Sequence, residues 1–285
     1  MPISNMKNLL KAAAAESRAL GSFTVGNMEM VVGAIAAAEA ADTPIVIQIA
    51  EARLSHSPLP LIGQTMLTAA QRAAVPIGVH LDHGHDIDII RQALDMGFTS
   101  VMFDGSALPL EENIVSTAWV VELAKQYGAS VEAELGVVGG DEEGDGEKEV
   151  LYTAPADVQT FCAQTNVDAL AVAIGNAHGN YRKQPALRFD ILDAIRRSTA
   201  TPLVLHGGSG ISDAEFRNAI DHGISKINIA TAAFNAMAKR LRDMLASGYH
   251  KDYHLLNEAM VSGAQDCISH HILVFNNVQP LDQIT

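Results

Sequence analysis

The stretch Gly78-Val79-His80-Leu81-Asp82-His83-Gly84-His85 decides how the rest of the chain is read. An apolar run over 76–81 stops at an acid and an imidazole, then a glycine, and the helix-like pattern 86–96 follows. A buried-strand run passing directly into helical periodicity is one strand–helix unit of a parallel sheet. Period-two alternation puts His80 and Asp82 on one face of that strand and Val79 and Leu81 on the other. Ionisable groups at the carboxyl end of a buried strand are costly to desolvate, so they call for a metal, polar partners or water. Taken alone, the stretch also fits a helix N-cap beside a solvated histidine.

The same unit recurs along the chain. Strands are expected at 22–25, 44–50, 76–82, 100–104, 130–135, 169–174, 202–206 and 226–230. Helices are expected at 27–41, 59–74, 86–96, 111–127, 155–165, 188–198, 212–222 and 231–246, after an Ala-rich helix at 5–19. Near-continuous apolar strands alternating with helices indicate a parallel sheet covered on both faces. Eight such units in strict alternation predict an α/β fold, a single (β/α)8 TIM barrel over 1–285, with the tail after Ser247 as an added, weakly helical element. An open doubly wound sheet is the alternative, but no Gly-x-Gly-x-x-Gly follows the first strand.

Composition narrows the function classes. The 285 residues are 48% hydrophobic and 18% charged, which excludes disorder. With 33 acidic against 19 basic residues, the net charge of −14 argues against nucleic acid or an anionic membrane as partner. It does not exclude small anions, which backbone N–H groups can hold within an acidic protein. Cys162 and Cys267 match no metal pattern and are expected to be reduced and structural. No signal-like N-terminal pattern and no uncharged membrane-length run is present, so a soluble cytoplasmic protein is expected.

In a barrel, chemistry gathers where the strands end. Here the third strand ends in Asp82-His83, the fourth in Asp104-Gly105-Ser106, and the fifth carries Glu132 and Glu134. The sixth runs into Gly175-Asn176-Ala177-His178-Gly179, the seventh into His206-Gly207-Gly208-Ser209-Gly210, and the eighth into Asn228-Ile229-Ala230-Thr231. Barrel closure would bring His83, His178 and His206 toward one axis. Three neutral imidazoles and an open position suit a catalytic divalent metal, most naturally zinc. His80, Asp104 and Glu132 are expected behind these ligands, orienting them. The other histidines, including His56, His85 and His271, fall outside the pattern. Gly207, Gly208 and Ser209 open one helix, and Asn228, Ala230 and Thr231 open the next. Unpaired N–H groups there favour a phosphate beside the metal. The acidic, glycine-rich segment 139–147 reads as a lid carrying a carboxylate base.

These motifs together resemble the class II, metal-dependent fructose- or tagatose-bisphosphate aldolases, with the tagatose branch the nearer. The pieces that carry the resemblance are His80-Leu-Asp-His83, Val131-Glu-Ala-Glu-Leu-Gly136 with Gly139-Gly140, Ala173-Ile-Gly-Asn-Ala-His-Gly179, Leu205-His-Gly-Gly-Ser-Gly210 and Lys226-Ile-Asn-Ile-Ala-Thr231. The resemblance implies one zinc per subunit on His83, His178 and His206, with Glu134 at an alternative metal position. It implies that Asp82 protonates the aldehyde oxygen in condensation and that Glu142 moves the proton on the ketose-derived carbon. Gly179, Gly207, Ser209, Asn228 and Thr231 match contacts to dihydroxyacetone phosphate, and a monovalent cation such as Na+ or K+ often sits near Gly179. A sugar phosphate as substrate and a homodimer or homotetramer are also implied.

Three features depart from the family pattern. Ser22-Phe23-Thr24 replaces the usual Ala-Phe-Asn, Ala50-Glu51 stands where many relatives carry Ser or Thr, and only Lys251 is basic after Arg242. A second phosphate would want a fixed arginine. Its absence from the C-terminal region leads to the expectation of an unphosphorylated or unusually substituted aldehyde, with Arg53 the one replacement, in no assignable place. Lys226 begins its strand and is expected far from the metal. Two rivals remain: a zinc-dependent hydrolase on the same histidines, and a non-catalytic aldolase-like subunit, which would have lost these ligands.

Overall fold

A computed structural model of the protein describes residues 3–140, 150–181, 185–248 and 252–277. Ten strands occur among these residues: β1 (Leu20–Thr24), β2 (Ile45–Ala50), β3 (Ile77–Gly84), β4 (Ser100–Phe103), β5 (Ser130–Leu135), β6 (Gly139–Gly140), β7 (Ala169–Val172), β8 (Ala177–His178), β9 (Leu203–Leu205) and β10 (Ile224–Ile229). Eight close into a barrel in the order β1-β10-β9-β7-β5-β4-β3-β2, and the pairings are parallel. The short β6 and β8 pair with each other outside it. The helices are α1 (Met6–Ala15), α2 (Met28–Ala40), α3 (Leu59–Arg72), α4 (Ile87–Met96), α5 (Leu110–Lys125), α6 (Pro155–Thr165), α7 (Phe189–Ser198), α8 (Asp213–Asp221), α9 (Thr231–Ala246) and α10 (Tyr253–Phe275). The expected TIM barrel is the observed fold, with strand boundaries displaced by a residue or two.

Alternation along the strands divides the barrel interior into two ends. At the amino end Leu20, Val46, Ala169, Ala171 and Val204 form a separate apolar cluster with Met6, Leu9, Leu10 and Ala13 of α1. That helix plugs the barrel floor, a role its Ala-rich sequence did not reveal. Asn5 caps it, its side chain accepting from the Lys7 N–H at 2.9 Å. At the carboxyl end the interior is polar: Gln48, His80, Asp82, Glu132, Glu134, His206 and Lys226 are all buried. Burying ionisable groups is costly unless they are paired, so the apolar floor and the outer helical layer carry the stability on which this polar end depends.

The tail is more than weakly helical. Helix α10 runs 23 residues and buries Ala259, Ala264, Ile268, Ile272 and Phe275 against the rest of the protein. Within it His271 lies against the rings of Phe216 and Phe275, and its Nδ1 donates to the Cys267 carbonyl at 2.7 Å. Burial pushes the His271 pKa from its ordinary 6.5 down to about 4. The unfolded chain therefore binds the proton first, so this stabilisation is complete above pH 6.5 and is lost as pH falls toward 4. Chemical denaturation should show the wild type losing about 2 kcal/mol more than His271→Leu between pH 7 and 5. Equal losses would remove His271 as the cause. Cys162 and Cys267 are free, as expected. Among the described residues no helix is long and apolar enough to cross a membrane.

Candidate active site

Strict alternation would turn His83 away from Asp82 and the barrel interior. The backbone prevents this: the β3–β4 register shifts between Leu81 and Gly84, and His83 has φ +43°. A left-handed non-glycine residue costs about 1–2 kcal/mol, and such strain persists only where surrounding structure enforces it. The effect is to swing the His83 ring inward, where its Nε2 lies 2.9 Å from His206 Nδ1.

His178 arrives on β8, and glycines make room for it. A Cβ on Gly140, at φ +85°, would stand 2.2 Å from the His178 carbonyl oxygen. One on Gly207, at φ +63°, would stand 2.2 Å from the Ala177 carbonyl oxygen. Both glycines therefore serve close backbone approach around the histidine loop, in addition to any role at the anion site. Tyr181 and Asn176 fasten the same loop. The Tyr181 hydroxyl accepts from Ala177 N–H at 2.7 Å and donates to the Gly207 carbonyl at 3.0 Å. Asn176 donates to the His206 carbonyl at 3.0 Å.

The three imidazoles meet edge to face, with ring centroids 4.6, 5.0 and 5.9 Å apart. One nitrogen from each lies within 4.8 Å of the others. The outer nitrogens of two rings are held by carboxylates. His83 Nδ1 is 2.8 Å from Asp104 Oδ2, and His206 Nε2 is 2.7 Å from Glu132 Oε1. Burial pushes both acids up, but partners prevail and hold both well below the usual carboxylate range. For Asp104 these are the bonds from His83 and the Ser106 N–H; for Glu132 they are Lys226 and His206. Burial lowers the His206 pKa, and burial with the Lys226 charge brings His80 down to about 4. Both rings are thus neutral near pH 7.

This arrangement fits a divalent cation. Ionised carboxylates accept from the N–H groups at His83 Nδ1 and His206 Nε2, and in neutral rings this puts lone pairs on the two nitrogens that face each other at 2.9 Å. Two facing lone pairs repel unless a cation lies between or beside them. The charge balance agrees: Asp82, Asp104, Glu132 and Glu134 surround the cluster, against one buried lysine, Lys226. Glu134 stands beside the triad, its Oε2 3.6 Å from His206 Nδ1. His80 bonds Ser100 Oγ through Nδ1 at 2.9 Å, while its buried Nε2 lies 3.9 Å from Asp82 Oδ1, beyond hydrogen-bond distance.

Lys226 is not remote from the three imidazoles. Its Nζ lies 2.9 Å from Glu132 Oε2 and donates to Asn228 Oδ1 at 2.7 Å, so one carboxylate separates it from His206. Its position at the start of β10 suggested otherwise, but a lysine stem spans most of a strand, and Lys226 shares a face with Asn228 by alternation. Asn228 in turn donates to Asp82 Oδ1 at 3.2 Å, and Gln48 donates to Asp82 Oδ2 at 2.5 Å. Gln48 also takes a bond from the Ser22 hydroxyl and gives one to Thr24 Oγ1. The isolated glutamine in the apolar run 44–50 was its sequence signal.

A cavity opens beside this network, lined by Asp82, His178, Gly179, Gly207, Gly208, Ser209, Asn228, Ala230 and Thr231, the residues assigned in the sequence to acid catalysis, metal and phosphate. Ser209 Oγ accepts from the Ala232 N–H at 2.9 Å, which joins the β9 loop to the first turn of α9. Arg53 lines the same cavity, and His56, which the sequence pattern left out, lines its neighbour. Glu142 lies outside the described residues.

The comparisons agree with this geometry. The family described as fructose-bisphosphate aldolase class-II matches residues 4–279. The chain is 38% identical over 250 residues to a probable fructose-bisphosphate aldolase of Bacillus subtilis, covering 87% of this chain and 88% of that protein. It is 39% identical over 249 residues to the fructose-bisphosphate aldolase of Geobacillus stearothermophilus, covering 86% and 87%. The crystal structure of the YdjI aldolase of Escherichia coli superposes with TM-score 0.86 at 33% identity, over 96% of this chain and 97% of that one. Buried polar network, barrel and relatives converge: this chain belongs to the class-II fructose-bisphosphate aldolase family and is a carbon–carbon lyase.

Proposed function

We propose that this aldolase is zinc-dependent and reversibly cleaves a ketose phosphate into dihydroxyacetone phosphate and an aldehyde. The observation that carries the reading is the approach of two imidazole nitrogens, His83 Nε2 and His206 Nδ1, to 2.9 Å, with their outer nitrogens already bonded to carboxylates. His83, His178 and His206 hold the ion, and Glu134 offers a further position. Bound there, zinc supplies a Lewis acid for the charge that develops on the ketone half. Asp82 takes the hydroxyl proton as the carbon–carbon bond breaks, and the departing carbonyl leaves as the aldehyde. The electron pair of that bond stays on the dihydroxyacetone phosphate half, where Glu142 returns a proton to carbon. Gln48 and Asn228 fix the rotamer of Asp82, so its remaining lone pairs face the cavity.

The phosphate of the ketone half sits on Gly179, Gly207, Gly208, Ser209, Ala230 and Thr231, at the positive end of the α9 dipole. A monovalent cation near Gly179 completes that side. Fructose bisphosphate is the first substrate to test, since it is the substrate of the fructose-bisphosphate aldolase of Geobacillus stearothermophilus, with tagatose bisphosphate beside it on the resemblance of the motifs. The chain acts as one barrel domain over 1–285, in the cytoplasm, as a homodimer or homotetramer.

Cleavage of a panel of ketose phosphates, followed by dihydroxyacetone phosphate release, tests this reading. Chelator-treated protein should lose turnover and regain it on zinc addition. Undiminished turnover in metal-stripped protein would end the metal assignment. Phosphate release without dihydroxyacetone phosphate would favour hydrolysis instead.

A further inference from the structure

Lys226 enters β10 at the level of the apolar barrel floor. Its register partners are Leu20 on β1 and Val204 on β9, both members of the cluster that α1 closes. An apolar side chain would fill this place as its neighbours do. The lysine is instead wholly buried, and a charge in such surroundings lowers stability unless partners answer it. Its stem climbs to the polar layer, where Nζ lies 2.9 Å from Glu132 Oε2 and donates to Asn228 Oδ1 at 2.7 Å.

These contacts decide which end of the Asn228 amide faces the acid. A lysine head has donors and no acceptor, so the amide turns its oxygen to Lys226 and its NH2 to Asp82. Asn228 Nδ2 donates to Asp82 Oδ1 at 3.2 Å and is the hydrogen-bond donor to that oxygen among the described residues. The other carboxylate oxygen is served in the same way. The Ser22 hydroxyl donates to Gln48 Oε1, which leaves Gln48 Nε2 to donate to Asp82 Oδ2 at 2.5 Å. Each oxygen of Asp82 thus meets an amide N–H, and each amide is turned by a donor behind it. A hydroxyl does this for Gln48, and for Asn228 it is a cation held in place by Glu132. Without that cation the amide keeps one bond of two and is free to rotate, so Asp82 Oδ1 loses its fixed donor.

We propose that Lys226 is a positioning residue for the proton step: anchored by Glu132, it fixes the Asn228 amide and through it the orientation of the Asp82 carboxylate toward the substrate hydroxyl. The inference rests on the reaction proposed above and gives Lys226 no bond to substrate. It accounts for a buried lysine on a barrel strand whose neighbours in the same layer are apolar.

The test compares Glu132→Gln with the double variant Lys226→Met/Glu132→Gln. Lys226→Met alone would leave Glu132 buried and unpaired, whereas the double variant removes both charges and protects the fold. Two rates are read on zinc-loaded proteins: cleavage of fructose bisphosphate, which needs Asp82, and exchange of the carbon-bound proton of dihydroxyacetone phosphate with solvent, which does not. Glu132→Gln should keep the wild-type ratio of cleavage to exchange, whatever its absolute rates. The double variant should lower that ratio by at least about tenfold, through kcat, as loss of a hydrogen bond that aligns an acid–base group implies. Zinc affinity, measured by chelator competition, should be no weaker in the double variant than in Glu132→Gln. An unchanged ratio would overturn the assignment, and so would weaker zinc binding, which would place the action of Lys226 on the imidazoles instead. A double variant that does not fold would make Lys226 part of the scaffold and equally overturn it. A zinc-loaded wild type that neither cleaves nor exchanges would overturn the reaction, and the role of Lys226 with it.

Discussion

His83→Ala should strip the protein of its divalent ion and lower turnover by at least about 1000-fold while the barrel stays folded. His83 contributes one of the two facing lone pairs, and its outer nitrogen is already committed to Asp104. Without the ring, Asp104 and Glu134 face a gap that two histidines bridge poorly. Substitutions one layer behind a metal cost 10–100-fold in affinity, so loss of a direct ligand should exceed about 100-fold, and Asp104→Asn should fall within that lower range. Folding should suffer little, because the substitution removes a buried repulsion between lone pairs along with the ligand. The left-handed backbone at residue 83 (φ +43°) favours asparagine over alanine, so His83→Asn should fold at least as well and be equally inactive. Metal content after dialysis, with turnover and circular dichroism on the same samples, checks both variants. Stoichiometric zinc in either one would remove His83 from the ligand set.

Much of this was legible in the sequence because two physical signals are local. Strand-length apolar runs alternating with amphipathic helices identified the barrel, and the polar ending of each run picked out side chains that the barrel brings together. The unread parts depend on contacts between distant segments. The inward turn of His83 comes from a bulge against β4, which alternation within one strand contradicts. The Glu132–Lys226–Asn228–Asp82 chain joins β5, β10 and β3, and a lysine at the beginning of a strand gives no sign of the reach of its side chain. Arg53 had the right chemistry but no assignable place until the turn after β2 was anchored by Glu51. Glycines 140 and 207 were read as lid and phosphate elements, yet their closest neighbours are the backbone carbonyls of His178 and Ala177. In each case the sequence showed the residue type, while the partner lay many strands away.

Asp82→Ala should lower turnover by about 100- to 10,000-fold, the range for a lost general acid–base group, with zinc still bound. The prediction separates proton transfer from metal binding, since Asp82 is not one of the three imidazole ligands and its oxygens are engaged by Gln48 and Asn228. Those amides lose an acceptor in the variant, but Gln48 keeps its bonds to Ser22 and Thr24, and Asn228 keeps Lys226. A melting temperature near the wild-type value is therefore expected. The loss should fall on kcat, because Asp82 is asked to act on a proton that moves in the transition state, whereas the ketone half is assigned in the proposed reaction to the loops after β9 and β10. Exchange of the carbon-bound proton of dihydroxyacetone phosphate with solvent gives the sharper test, because that half-reaction needs no aldehyde. It should persist in Asp82→Ala and disappear in His83→Ala. If Asp82→Ala cleaved at the wild-type rate, or if it lost proton exchange along with cleavage, the acid at the aldehyde oxygen would have to be another residue.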